Sequence, residues 1–348
     1  MYLSNMKIGY VPYSPTFEQP GDRRRFVHYA RSRGIDFEIA DPSKRYDVVV
    51  LSERADISIW GNYPHGKLVF DLIDSYLAVE RTDIKGWLRG TAKFLTRQSK
   101  YFQFNYWRAI EQMCRRSAAV ICTTEEQARD IVPFCPNTHI VLDAHGMVAR
   151  QVKSDYRAGT PFRLVWEGLP HTLDSLQIVS PVIKRIARTY PLEIHVVTDM
   201  EYLRYLGRFG RAKTSGILSR FLPEAILHEW REETCAQIIQ SCDLALIPLC
   251  LSDPFSAGKP ENKLLLLWKM GMPVVTSATP AYRRAMGRAG VDLCCVDEMD
   301  WERALLRCIE NESFRREVAA SGHMEANTRY SEENNLLAWD NVFRSILA

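Results

Sequence analysis

The sequence predicts an α/β chain of two Rossmann-like domains facing across a cleft. Two observations predict it. Short apolar runs alternate with helical patterns, and that alternation breaks near residue 155 before it starts again. A strand-then-helix rhythm gives a parallel sheet covered by helices. The length of 348 residues agrees, because it exceeds one ordinary core.

The first half opens with a strand over Lys7 to Val11 and a helix over Asp22 to Arg33, with Phe26, Val27 and Ala30 inward. Further strands fall at Phe37 to Ala40, Asp47 to Leu51, Leu68 to Leu72, Ala118 to Cys122 and Thr138 to Leu142. Residues Arg150 to Pro161 are polar, carry Gly159 and Pro161, and read as a linker. The pattern resumes with strand Phe162 to Glu167, helix Leu173 to Thr189 and strand Leu192 to Thr198. Helix Glu232 to Ser241, strand Asp243 to Pro248, helix Glu261 to Met270 and strand Pro273 to Ser277 follow. Helices over Met299 to Glu310, Ser313 to Ala326 and Ser331 to Ile346 close the chain. The domains are thus expected at 1–155 and 156–330, with the helix 331–348 packing back on the first.

Composition narrows the function. Hydrophobic residues at 46% and charged residues at 25% exclude a disordered chain and a disulfide miniprotein. A net charge of +3 does not mark a nucleic-acid binder. No apolar run spans a bilayer, and Met1 to Tyr13 lacks a signal-peptide core, so a cytoplasmic protein is expected. Nine scattered cysteines without a CxxC pair read as reduced, mostly buried thiols. The eight histidines form no HxH or HExxH cluster, so no metal is expected. His145 and His171, in loops, are weak candidates for a site.

Three loops carry candidate chemistry. Asp253 to Lys263 lies between an apolar strand and an apolar helix, at the carboxyl end of that strand, where open α/β sheets bind ligands. Gly258 permits close backbone approach, and Ser256, Glu261 and Asn262 share the loop. Lys259 and Lys263 are placed to neutralise a diphosphate. Asp71, Asp74 and Ser75 leave the strand that ends Val69-Phe70 and can bind sugar hydroxyls or act as a base. Helix capping by Asp74 or Ser75 is the alternative. Gly21, Asp22 and Arg23 open the first helix and form an anion or hydroxyl site; capping by Asp22 and solvated arginines are the plain reading.

Residues Ile84 to Ile110 hold six basic and eleven large apolar or aromatic residues and no acidic one. Lys85, Arg89, Lys93 and Arg97 recur every four residues, on one side of a helix. A basic amphipathic helix with aromatics suits an anionic membrane surface. A long surface helix whose aromatics pack into its own domain fits equally, and nucleic-acid binding fits less well.

The segment Cys242 to Thr276 resembles the carboxyl-terminal domain of GT-B glycosyltransferases, and of family 4 and its relatives in particular. The likeness rests on Cys242-Asp-Leu-Ala-Leu-Ile-Pro-Leu249, Asn262-Lys-Leu-Leu265 and Met270-Gly-Met-Pro-Val-Val275. Trp166-Glu-Gly168 is similar to the family's donor loop, and Val69-Phe-Asp-Leu-Ile-Asp-Ser75 to its fourth-strand exit. Cys122 to Gln127, Tyr330-Ser-Glu332 and Trp339 to Phe343 extend it over nearly the whole chain.

The resemblance implies a hexosyltransferase that takes a nucleotide-sugar as substrate, needs no cofactor, and retains configuration at the anomeric carbon. It implies donor contacts from Trp166, Gly168, Ser256, Gly258, Glu261 and Asn262. Lys259 and Lys263 would meet the leaving diphosphate, and Asp74 the transferred sugar. Gly21, Asp22, Arg23 and Asp71 would face the acceptor, a surface polysaccharide or lipid-linked glycan reached at the inner face of the membrane. The family's two glutamates around this helix fall here at Gly258 and Leu266, and Glu261, within the same loop, would substitute for part of their role. A sugar-nucleotide 2-epimerase of the same fold and a non-catalytic scaffold in glycan assembly remain open alternatives.

Overall fold

Each sheet has at its centre a strand without a single exposed residue. In the computed structural model, which describes residues 6–79, 84–146, 148–205 and 209–347, Val48, Val49, Val50 and Leu51 are fully enclosed. β-branched residues in an unbroken apolar run suit a strand covered on both faces. Met1 to Asn5 lie outside the described residues.

The chain divides into two units. The first comprises Met1–Ala144, Gly258–Pro260 and Glu332–Ala348. Its strands are β1 (Ile8–Val11), β2 (Glu38–Ile39), β3 (Val48–Leu51), β4 (Lys67–Asp71), β5 (Ala119–Cys122) and β6 (Thr138–Ile140). They pair in parallel in the order β2-β1-β3-β4-β5-β6. The final helix, Glu332–Leu347, belongs to this core. Leu336, Trp339, Phe343 and Ile346, spaced by three and four, lie against Ile8, Tyr10, Phe26 and Tyr29. The Tyr29 ring stacks on both Trp339 and Phe343, with centroids 5.5 Å apart in each case. Arg33 pairs with Asp340 at 2.8 Å on the rim of this contact.

The second unit comprises His145–Ala257 and Glu261–Ser331. Its strands are β7 (Phe162–Glu167), β8 (Leu192–Thr198), β9 (Glu201–Tyr205), β10 (Phe209–Lys213), β11 (Ile226–Glu229), β12 (Leu244–Ile247), β13 (Val274–Ser277) and β14 (Cys294–Cys295). Six of them form a parallel sheet in the order β11-β8-β7-β12-β13-β14, while β9 and β10 make a separate antiparallel hairpin. Helix Asn262–Lys269 is buried along Leu264 to Trp268.

Four local differences from the sequence expectation have physical causes. The stretch 150–161 is not a linker in the second unit's architecture. Lys153 donates its amide to Met270 O at 2.9 Å, and the Tyr156 hydroxyl donates to Gly271 O at 2.9 Å. The division therefore falls after Ala144 rather than after residue 155. The first helix is two helices, Pro20–Arg23 and Phe26–Arg33, because Arg25 leaves helical geometry to carry its guanidinium inward. The helix expected over 173–189 is a 3-10 stretch, Pro170–Ile178, followed by the helix Ser180–Ile186, since Pro181 has no amide to continue the ladder.

The fourth concerns the basic aromatic segment. It is a helix Ile84–Leu95, a turn, and a second helix Tyr106–Arg116 that Asn105 caps. The side chains of Ile84, Lys85 and Trp87 lie outside the described residues. Two of its basic residues face the protein: Arg89 donates to the Tyr76 hydroxyl at 2.7 Å, and the Lys93 ammonium lies 4.1 Å from the Tyr106 ring centre. Leu88 and Leu95, one heptad apart, are instead turned outward, with Phe94 beside them. Among the described residues no helix is long and apolar enough to cross a membrane.

Replacing Trp339 with alanine removes the largest side chain that the last helix contributes to the first unit. Its unfolding free energy in urea is expected to fall by about 3–5 kcal/mol, the usual cost of truncating a buried tryptophan.

Candidate functional site

Strand order locates the candidate sites. In a parallel sheet the loops at the carboxyl ends of strands diverge where the order reverses, and ligands enter there. In the first unit the reversal lies between β1 and β3. Tyr13 follows β1, and Ser52, Glu53 and Arg54 follow β3. The Arg54 guanidinium lies 5.8 Å from the Tyr13 ring centre.

Glu53 is the group on which this edge converges. Its carboxylate accepts the amides of Ile73 at 3.1 Å and Asp74 at 2.8 Å, and the Tyr76 hydroxyl at 2.8 Å. Burial, and then the nearby Asp74 carboxylate, push its carboxyl up to about 7, while the hydrogen bonds and Lys259 oppose the rise. Asp74 in turn accepts the Lys259 ammonium at 2.5 Å, with both side chains partly exposed. The Ser75 hydroxyl donates to Gly258 O at 3.1 Å. Asp74 and Ser75 do not cap a helix with their side chains; the short 3-10 stretch that follows has no such bond.

The acceptor-side residues expected from sequence are spent on structure. Asp71 is enclosed and receives Arg25 Nε at 2.7 Å and Nη2 at 2.6 Å. The same guanidinium reaches Asp143 at 2.9 Å and Val141 O at 3.0 Å. Asp22 is also enclosed and accepts the Tyr10 hydroxyl at 2.7 Å and the amides of Tyr13 and Ser14 at 2.8 and 3.0 Å. Neither carboxylate is presented to a ligand. Gly21 is packed edge-on by the Tyr13 ring, 2.4 Å from where a Cβ would lie, so it serves packing there. Arg23 lies at the end of its short helix with its Nε buried.

In the second unit the reversal lies between β7 and β12. β7 ends in Trp166-Glu167, and Gly168 follows. The Lys263 ammonium, from the start of helix Asn262–Lys269, donates to Glu167 O and lies 4.9 Å from the Trp166 ring centre. A Cβ on Gly168 would stand 2.7 Å from that ammonium and 2.8 Å from Trp166. Only a glycine lets the cation, the indole and the chain meet here. Lys263 and Lys259 thus occupy different units.

The rest of the loop is less open than the sequence implied. Ser256 binds Asp253 through its amide and hydroxyl, which caps the short helix Pro254–Ala257. Glu261 is buried and accepts the Tyr330 hydroxyl at 3.0 Å; burial raises its carboxyl above the usual range, against the pull of Tyr330, Arg284 and Arg288. Asn262 opens the buried helix, and Leu266 is a core residue rather than a ligand contact. His145 is buried and His171 exposed. No group of three or more His, Cys, Asp or Glu among the described residues could hold a metal ion.

Sequence reasoning missed Glu53 and Tyr13, and it missed the partners of Arg25 and Tyr330. Glu53 carried a readable signal, since it stands two residues past a wholly apolar strand, as Asp74 stands three past another. Arg25 and Tyr330 had none, because their partners are 46 and 69 residues away.

No protein-family model matches the chain, and no curated protein matches it. Solved structures do. HepE of Anabaena, crystallised with UDP and glucose, superposes with a TM-score of 0.65 at 12% identity, over 98% of this chain and 100% of that one. WaaG, described as a glycosyltransferase involved in lipopolysaccharide biosynthesis, gives 0.59 at 12% identity over 96% and 99%. TarM gives 0.54 at 12% identity, and this chain spans about half of it, 54%. The likeness shows the fold, GT-B, in agreement with the two parallel six-stranded sheets.

Glu53 provides a direct check of the first-unit electrostatics. Its carboxyl is expected to titrate near pH 7 in a carbon-13 NMR experiment. Asp74→Asn should move the midpoint down and Lys259→Ala should move it up. A raised native value means that the folded state holds this proton more tightly, so its contribution to stability is full below the unfolded glutamate range and is lost as pH rises through about 7.

Proposed function

We propose that the chain is a glycosyltransferase that moves a sugar from a nucleotide-sugar to a glycan or lipid-linked glycan acceptor. The observation that carries this is the meeting of Lys263, Trp166 and Gly168 at the strand-order reversal of the second unit. A glycine-lined turn beside a fixed ammonium suits a diphosphate. As the bond from the anomeric carbon to the diphosphate oxygen breaks, the electron pair leaves with that oxygen. Lys263 then lies where negative charge develops. Exchange of the Glu167 carbonyl for a phosphate oxygen costs the lysine one neutral acceptor and gives it a charged one. The UDP bound to HepE makes UDP the first nucleotide to test.

On the first unit, Asp74 with Lys259 is the pair assigned to sugar hydroxyls. Glu53, with its carboxyl near 7, is suited to receive the proton of an acceptor hydroxyl. Retention of configuration and independence from cofactors are part of the same reading. So is a cytoplasmic location with peripheral attachment to a membrane through residues 84–110. That attachment rests on the outward Leu88, Phe94 and Leu95, with Lys100 lining a cavity beside Phe94 and Leu95, more than on the inward Arg89 and Lys93.

A non-catalytic scaffold is the second reading, favoured by the buried Leu266 and by Gly258 where the resembled family carries carboxylates. A panel of nucleotides separates the two. UDP at about 100 times its dissociation constant is expected to raise the melting temperature by roughly 5–10 °C. Lys263→Met should abolish that rise, and UDP release from UDP-sugars should require an acceptor. A melting temperature indifferent to every nucleoside diphosphate would sink the transferase reading. Donor epimerised without any acceptor would point to the epimerase.

A further inference from the structure

A cavity of about 610 Å³ opens on the first unit beside its outward apolar residues. It is lined by Asp56, Ile59, Phe94, Leu95, Arg97, Ser99 and Lys100. Its size suits a small amphiphile. Its apolar lining is Ile59, Phe94 and Leu95, with Leu95 and Phe94 well exposed. Its cationic lining is Arg97 and Lys100.

The turn that carries Lys100 is held in place by hydrogen bonds. Asp56 accepts the Lys100 amide at 2.7 Å, and Ser58 Oγ accepts the Tyr101 amide at 3.1 Å, which ties the turn to helix Ile57–Trp60. The remaining Asp56 oxygen accepts the Ser58 amide and hydroxyl at 3.0 and 2.6 Å. The one carboxylate of the cavity is therefore occupied on both oxygens. Its neighbours along Ile84 to Ile110 include no acidic residue.

Arg97 also holds a backbone conformation that glycine normally takes. Its φ is +59°, just past the end of helix Ile84–Leu95, where its amide reaches Phe94 O and the Gln98 amide reaches Lys93 O. A non-glycine residue there costs about 1–2 kcal/mol. Those two bonds close the helix with a left-handed cap, which sets Arg97 in the lining of the half-apolar cavity.

We propose that this cavity binds a single phosphate-headed lipid, with the phosphate on Arg97 and Lys100 and the first part of the chain along Ile59, Phe94 and Leu95. The proposal rests on the membrane-associated reading above and deepens it: the protein would recognise one lipid phosphate rather than only a charged surface. A membrane phospholipid and the phosphate of a lipid-linked acceptor share this chemistry.

Calorimetric titration of the full chain tests it with dihexanoyl phosphatidic acid, geranyl phosphate, dihexanoyl phosphatidylcholine and inorganic phosphate, the lipids below their micelle concentrations. One saturable site is expected for at least one of the two lipid phosphates, and whichever is tighter names the source. Neither the choline lipid nor inorganic phosphate should match it. Arg97→Gly suits the positive φ, so it should fold at least as well while it weakens lipid-phosphate binding by about tenfold. Arg97→Lys should restore part of that loss.

Equal affinity for phosphatidylcholine, or full affinity in Arg97→Gly, would overturn the site. Retention on vesicles of phosphatidylglycerol without any binding of monomeric lipid phosphate would overturn it too, and would leave a plain membrane surface. A nucleotide-dependent melting shift that persists beside a failed lipid titration would show that only this proposal had failed. Lipid-phosphate binding without any nucleotide shift would show the reverse.

Discussion

The enclosed guanidinium of Arg25 is the constraint on which the first unit depends. A buried cation is tolerated only where every donor meets an acceptor, and removal of one partner leaves a charge that the interior cannot solvate. Arg25 meets Asp71 at the end of β4, and Asp143 and Val141 O beyond β6. One side chain therefore fixes the start of helix Phe26–Arg33 against two strand exits. Asp22 does the same on the near side by gathering Tyr10, Tyr13 and Ser14. The loops around Glu53 and Asp74 stand on this frame, which lets their charges be set by geometry rather than by loop motion.

The sheets were legible because their strands are unbroken apolar runs. Phe162–Glu167 and Leu192–Thr198 have the expected bounds to the residue. The hairpin of Glu201–Tyr205 and Phe209–Lys213 was not legible, since charged residues punctuate both strands and neither presents an apolar run. Cys294–Cys295 is too short to carry any period. The helix break at Arg25 was invisible for a different reason: its cause lies 46 residues away in Asp71.

The candidate site was legible in kind and misread in part. A carboxylate at or just past the end of a buried strand reads as open to whatever occupies that edge, so Asp71, Asp74 and Glu53 all satisfy the same sequence rule. The rule cannot tell that an arginine consumes the first, a lysine meets the second, and burial makes the third a weak acid. The two lysines of one loop illustrate the same limit. Four residues apart in sequence, Lys259 answers to a carboxylate of the first unit and Lys263 to a carbonyl and an indole of the second. In helix Ile84–Leu95 the spacing of four sets Arg89 and Lys93 on one side, and both lie against the rings of Tyr76 and Tyr106.

The last helix has a consequence for biosynthesis. Trp339, Val342, Phe343 and Ile346 fill the centre of a unit whose other core residues are translated almost entirely before residue 145. A nascent chain leaving the ribosome therefore carries the first sheet with an open apolar face for the time needed to make the second unit. The usual order, in which the amino-terminal domain finishes first, is reversed. The middle of the chain can close on itself while the beginning still waits for the end, and chaperones that shield exposed apolar surface have their clearest target in that interval.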